Sequence, residues 1–157
     1  MTSEHARFKK IRDLVDWAIA FHVELAKRYK QLAKQSGDKR VAMALDYLSD
    51  HEHSMEAALR RHLTSGDDAL LDTWFDDVNP LPHVQVLTGT SDSMACENLE
   101  DVVGTAITVH KNLGELYRHR AEAAGTDHER EFFEALANGQ MSETRRMVRD
   151  MARLQDY

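Results

Sequence analysis

The stretch AIAFHVELAKRYKQLAKQSG, residues 18–37, places a histidine on the apolar face of a long helix. Apolar residues recur in it at spacings of three, four and seven, which is the pattern of a helix with one buried face. His22 falls within that pattern, between Ala18 and Leu25. The helix is predicted to end at Gly37, because glycine accepts the left-handed conformation common just after a helix. Since a buried polar group is costly without a hydrogen bond, His22 needs a partner from another helix.

A second stretch, AITVHKNLGELYRHRAEAAG at residues 106–125, matches the first without gaps at an offset of 88 residues. Self-similarity of this kind indicates that one supersecondary unit occurs twice. The sequence therefore predicts two structurally similar helical hairpins. The pairs that carry most weight are His22/His110, Tyr29/Tyr117 and Gly37/Gly125.

The composition predicts one all-α domain spanning residues 1–157. The chain has only two prolines and seven glycines, and it is rich in good helix formers. Its net charge of −7 argues against a nucleic-acid surface, and it has no apolar run long enough for a membrane span. The single cysteine, Cys96, excludes an internal disulfide and suits a reducing compartment. With no secretory signal in its first residues, the protein is expected in the cytoplasm.

Four long helices are predicted over residues 3–35, 38–63, 92–124 and 127–154. They form one hairpin over 3–63 and a second over 92–154, with Thr126 and Glu129 as a capping box for the last helix. The crossover, residues 64–91, is long enough to run the length of a bundle and to place the two hairpin turns at opposite ends. It is predicted to hold a short helical turn at residues 70–75 and to pack four apolar side chains on the bundle: Trp74, Phe75, Val78 and Leu81.

Polar residues interrupt the apolar stripes of the second and fourth helices near their midpoints. His22 and Glu52 each lie 15 residues from Gly37, and His110 and Gln140 each lie 15 residues from Gly125. At 1.5 Å per residue, both levels are about 22 Å from their turns, close to the middle of the bundle. One buried polar cluster is therefore predicted at the centre: His22, Glu52, His110, Gln140 and Glu143.

Other polar side chains are predicted to be solvated. Asp50 and His53 lie on a flank of the second helix that also carries charged residues. The fourth helix is expected to bury the stripe that begins at Phe132. Five further histidines are expected at the surface: His51, His62, His83, His119 and His128.

This arrangement resembles the ferritin-like superfamily, including rubrerythrins and bacterioferritins. Those proteins are four-helix bundles in which two hairpins are joined by a long crossover. Their di-iron site takes a Glu from each of two helices and a Glu-x-x-His from each of the other two. In several members, a tyrosine follows the first- and third-helix glutamate by seven residues, as Tyr29 follows His22 and Tyr117 follows His110.

The resemblance implies an altered metal site. Glu52 alone keeps the residue type of the family, whereas His22 and His110 each replace a Glu. The two Glu-x-x-His positions read Glu52-His53-Ser54-Met55 and Gln140-Met141-Ser142-Glu143. Imidazole together with carboxylate suits Fe, Zn, Mn, Ni or Cu better than Mg or Ca. The implied ligands are His22, Glu52, His110 and Glu143. Four more residues are implied as additional ligands or as neighbours that hold the ligands in place: Gln140, Met55, Tyr29 and Tyr117.

Two functional interpretations follow, and the sequence does not decide between them. In the first, the chain is a metal-binding, rubrerythrin-like protein, with oxidoreductase activity that would need an external electron donor. In the second, it is a non-enzymatic bundle for interaction or assembly that binds no metal, and His22–Glu52 and His110–Glu143 pair only to neutralise buried charge. A homodimer is expected under both.

Overall fold

The computed structural model describes residues 8–75 and 98–156, which form five α-helices. The predicted all-α architecture is confirmed for these ranges. In chain order the helices are α1 (Ile11–Gln35), α2 (Lys39–Ser65), α3 (Asp68–Leu71), α4 (Leu99–Glu122) and α5 (Asp127–Gln155).

Polar side chains cap the starts of α2, α4 and α5. Asp38, Asn98 and Thr126 each accept a hydrogen bond from a backbone N–H in the first turn of the helix. The cap predicted at Thr126 is confirmed, because its Oγ1 lies 3.1 Å from the Glu129 nitrogen. The reciprocal bond differs from the predicted box, since the Glu129 carboxylate accepts from the Gly125 N–H at 3.2 Å.

The left-handed glycines predicted after α1 and α4 are not found. No residue in the described ranges has a positive φ. Ser36 leaves α1 in an extended conformation, and its Oγ accepts from the Asp38 N–H at 3.2 Å. The chain can therefore pass from α1 to the cap of α2 without the left-handed conformation at Gly37.

The start of α1 was predicted too early. Residues 8–10 are not helical, because their backbone pairs with the chain that follows α3. The Phe75 N–H donates to the Lys9 carbonyl at 2.8 Å, and the Ile11 N–H donates to the Thr73 carbonyl at 3.1 Å. The other extensions predicted at the N-terminal ends of helices, residues 3–7 and 92–97, lie outside the described residues.

The two hairpins form a single core. α1 packs along α2 and α4 packs along α5, while α2 also contacts both helices of the second hairpin. Phe133, and not the predicted Phe132, is fully buried on α5, since Phe133 shares a helix face with Leu136 and Gln140. Phe132 is partly buried and meets Phe133 edge to face.

The crossover begins at the end of the bundle that carries the α4–α5 turn. Phe75 lies 4.2 Å from the Arg120 guanidinium and 6.3 Å from the Phe133 ring, and Asp67 lies 4.0 Å from His128. The two hairpin turns are therefore at opposite ends, as predicted.

The predicted packing of the crossover is only partly observed. The short helical turn expected at residues 70–75 is α3, at Asp68–Leu71, and its Leu70 and Leu71 are buried. Trp74, predicted to pack on the bundle, is 61 % exposed, because it pairs at the surface with Lys10, through its backbone and with the Lys10 ammonium 5.7 Å from its ring. Three other residues of the sequence predictions lie outside the described ranges: Val78, Leu81 and Cys96.

None of the described helices carries an apolar segment long enough to cross a lipid bilayer.

Candidate metal centre

Glu52 joins two histidines from different helices at the centre of the bundle. His22 Nδ1 on α1 lies 2.7 Å from Glu52 Oε1, and His110 Nε2 on α4 lies 2.7 Å from Oε2. All three side chains are at most 1 % exposed. The common level predicted from counting residues to the turns is therefore confirmed for these three residues.

The Glu52 carboxylate is ionised. Burial alone raises its pKa, but the charges and hydrogen bonds of His110 and His22 outweigh burial and hold the pKa below the usual range. An ionised carboxylate can only accept hydrogen bonds. His22 therefore donates its Nδ1–H and His110 donates its Nε2–H, which fixes one proton on each ring.

Glu143 does not pair with His110. Its side chain is 36 % exposed, with Oε2 at 3.8 Å from His51 Nδ1 and Oε1 at 3.8 Å from the Arg146 guanidinium. His110 bonds to Glu52 instead, because the two oxygens of one carboxylate can serve two imidazoles. The His110–Glu143 pair expected for a metal-free cluster is thus wrong, and Glu143 lies at the edge of the site.

The residues predicted to add ligands or to surround them are all buried. Tyr29 and Tyr117 are 0 % and 2 % exposed, Gln140 is 4 % exposed and Met55 is 8 % exposed. Burial raises the pKa of the Tyr117 hydroxyl, so this group stays protonated and can donate a hydrogen bond.

His51 is a buried member of the central layer that sequence reasoning placed at the surface. It is 7 % exposed, its ring lies 5.2 Å from that of His110, and it stacks on Tyr47 at 6.0 Å. Burial, followed by the nearby His110, lowers the pKa of His51 and favours its neutral form. A sequence signal was present, because His51 lies three residues after Leu48 and four before Met55, on the same buried face.

A cavity of about 430 Å³ lies beside the central cluster, between α2 and α5. Four of the buried polar residues line it: His22, His51, Tyr117 and Gln140. Glu143, Arg61 and Arg146 also line it and are more exposed. The lining of the cavity thus joins buried residues of the polar layer to more exposed charged residues.

The donor set does not fit a di-iron carboxylate centre. Such a centre draws carboxylates from all four helices of the bundle. Among the described residues the only buried carboxylates are Glu52 and Glu129, and Glu129 lies at the α4–α5 turn. Over residues 8–75 and 98–156, no three His, Cys, Asp or Glu side chains are grouped as ligands of one ion. No bridging chemistry between two irons follows from this arrangement.

Searches against protein-family models and curated proteins found no match. A solved structure from Thermotoga maritima, described as that of a ferritin-like diiron-carboxylate protein, is similar over 95 % of this chain and 98 % of that chain. The TM-score is 0.55 and the sequence identity is 16 %. Similarity at this level of identity concerns the fold. With two hairpins whose turns lie at opposite ends, the chain has the ferritin-like fold.

Proposed function

We propose that this ferritin-like protein binds a transition metal ion at its central layer, with His22, Glu52 and His110 as the principal ligands. The observation that carries the proposal is the fully buried Glu52 carboxylate, whose two oxygens each lie 2.7 Å from an imidazole nitrogen of a different helix. Buried imidazole and carboxylate groups from three helices are the donor types that Fe, Zn, Mn, Ni and Cu take in proteins. Glu143 completes the proposed ligand set from the edge of the site, and it must leave His51 and Arg146 to do so.

Metal and protons compete at this cluster. The N···O distances of 2.7 Å are hydrogen-bond distances, whereas two ligand atoms around a tetrahedral ion are about 3.4 Å apart. Binding therefore requires a small separation of the side chains and the loss of the imidazole protons directed at Glu52. Metal affinity is expected to rise with pH. Any oxidoreductase activity would need an external electron donor, since the sequence has one cysteine and no Cys-x-x-Cys pair.

Metal analysis of the purified protein tests the proposal. The wild type is expected to hold near-stoichiometric transition metal, and His22→Ala/His110→Ala is expected to lose it. The matched control is His53→Ala/His128→Ala, because these two histidines are exposed and pair with Glu56 and Asp67 rather than with Glu52. The control should keep its metal. Metal retained by His22→Ala/His110→Ala would show that this ligand set is wrong.

A second candidate is a metal-free bundle for interaction or assembly. The observation that favours it is that both oxygens of Glu52 already accept a hydrogen bond, so that the buried charge is paired without an ion. It predicts no rise in melting temperature with added Fe, Mn, Zn or Cu, whereas specific binding to the folded state raises it by mass action. A homodimer is proposed under both candidates, and light scattering of the purified protein measures it.

A further inference from the structure

The cavity between α2 and α5 has the size and the lining of a small-molecule site. Its volume of about 430 Å³ lies in the range of ligand pockets. Apolar side chains from both helices form much of its wall: Met55, Ala58, Leu59, Ala135 and Leu136.

Three buried polar atoms on residues that line this cavity have no hydrogen-bond partner among the described residues. They are His51 Nε2, Tyr117 Oη and Gln140 Nε2. Their residues are 7 %, 2 % and 4 % exposed. Because buried polar groups in native proteins almost always have a partner, three such atoms on the lining residues of one cavity point to a bound polar group.

These three atoms can all donate a hydrogen bond, so the group that they bind must be an acceptor. The Tyr117 hydroxyl and the Gln140 amide nitrogen are donors, and the His51 ring can present Nε2–H. Arg61 and Arg146 also line the cavity, where they add positive charge. Glu143 is the one acidic residue lining it within the described chain, and it already lies 3.8 Å from both His51 and Arg146.

We propose that this cavity binds a small organic carboxylate with a short apolar chain. The carboxylate accepts hydrogen bonds from Tyr117, Gln140 and His51. The chain lies against Met55, Leu59 and Leu136, and the two arginines attract the anion. This site adjoins the proposed metal centre but does not include its Glu52–His110 pair, because neither Glu52 nor His110 lines the cavity, whereas His22 and Glu143 border both.

Isothermal titration of the purified protein with hexanoate tests the inference, with hexanol and hexylamine as neutral and cationic probes of the same chain length. Hexanoate is expected to bind saturably and at least about tenfold more tightly than either, since hydrogen bonds to a charged group carry that discrimination. Equal binding of the three probes, or no saturable binding of hexanoate, would overturn the proposal.

Variants of the lining residues test whether hexanoate binds in this cavity. Tyr117→Phe/Gln140→Met keeps shape but removes two donors, and should weaken hexanoate binding about tenfold or more. The matched control is Tyr29→Phe, a buried tyrosine at the repeat-related position that does not line this cavity. Should Tyr117→Phe/Gln140→Met fold poorly, Ala58→Phe fills the cavity from a half-buried wall position and should abolish binding. Unchanged affinity in the variant that folds would overturn the assignment.

A repeat of the titration after chelator treatment separates this site from the metal proposal. Hexanoate binding that persists without metal supports recognition by the cavity alone. Loss of binding on chelation would assign the carboxylate to a metal ion and overturn this inference, while leaving the metal proposal standing.

Discussion

At Glu52, one buried carboxylate on α2 accepts hydrogen bonds from imidazoles on α1 and α4. Glu52→Gln keeps the size of the side chain but removes its charge, so both imidazole contacts weaken. In chelator-treated protein we expect a loss of about 2–3 kcal/mol in the free energy of unfolding at pH 7, measured by urea denaturation. The control is Glu24→Gln, whose side chain is 73 % exposed and pairs with exposed Lys27. It should change stability by less than about 0.5 kcal/mol.

The same variant has a predictable pH dependence. The folded-state pKa of Glu52 is lowered, so its stabilisation is fully present above the unfolded value of about 4.3 and is lost as pH falls through the folded pKa. The wild type should therefore lose more stability than Glu52→Gln between about pH 5 and pH 3. The gap between the two proteins should narrow over that interval. A gap that stays constant down to pH 3 would mean that Glu52 is not held ionised by the histidines.

The sequence predicts how far along the bundle a residue lies, but not which side chain of another helix it contacts. Counting residues from the hairpin turns predicts the level of His22, Glu52 and His110, because the rise per residue is constant in a helix. The partner of His110 could not be predicted, since it depends on the distance between helices. His51 was missed because a position at the edge of a stripe becomes buried when a neighbouring helix, here α4, packs against it.

Among the elements, the boundaries of α2 provide a matched test of local packing. A Cβ added at Gly66, just after α2, would lie 2.3 Å from the His62 carbonyl oxygen and 3.3 Å from Leu71 Cδ1. Gly66→Ala should therefore destabilise the protein by about 1–3 kcal/mol, since the backbone oxygen cannot move freely.

Gly37, just before α2, is the control, because a Cβ there meets nothing within 4 Å and its φ is not positive. Gly37→Ala should be neutral or stabilise by up to about 1 kcal/mol, through the lower entropy of the unfolded chain. Thermal or urea denaturation of both variants measures the difference. A loss of stability in Gly37→Ala equal to that in Gly66→Ala would contradict this account of the two helix ends.

Whether a helix forms depends on the residues within its own segment, whereas the residue at which it begins can depend on distant parts of the chain. The four long helices follow from apolar periodicity within each segment, and their prediction is confirmed in the described ranges. The start of α1 is set by backbone hydrogen bonds to residues 73 and 75, more than 60 positions away. No local sequence pattern predicts such pairing. The predicted start of α1 is therefore several residues too early.

At the scale of the whole molecule, fold and site have separate origins. The ferritin-like fold is shared with a protein that is only 16 % identical, because two amphipathic hairpins and a crossover need apolar stripes rather than particular residues. The central layer restricts its residue types more than the apolar stripes do, since each buried polar group needs a partner at a fixed distance. A central layer built from His22, Glu52 and His110 is therefore compatible with this bundle.

This separation predicts that the whole polar layer can be replaced without loss of the fold. Breaking a buried ion pair by removing one partner leaves an unpaired group, whereas replacing all partners by apolar residues of similar volume is often neutral or stabilising. His22→Leu/Glu52→Met/His110→Leu should thus keep the helical circular dichroism of the wild type and unfold at the same or a higher urea concentration, while Glu52→Gln alone unfolds at a lower one. That result would mean that stability does not require the layer, in keeping with a role in ligand binding. If the triple variant were as unstable as Glu52→Gln or failed to fold, the layer would instead be needed to align the two hairpins.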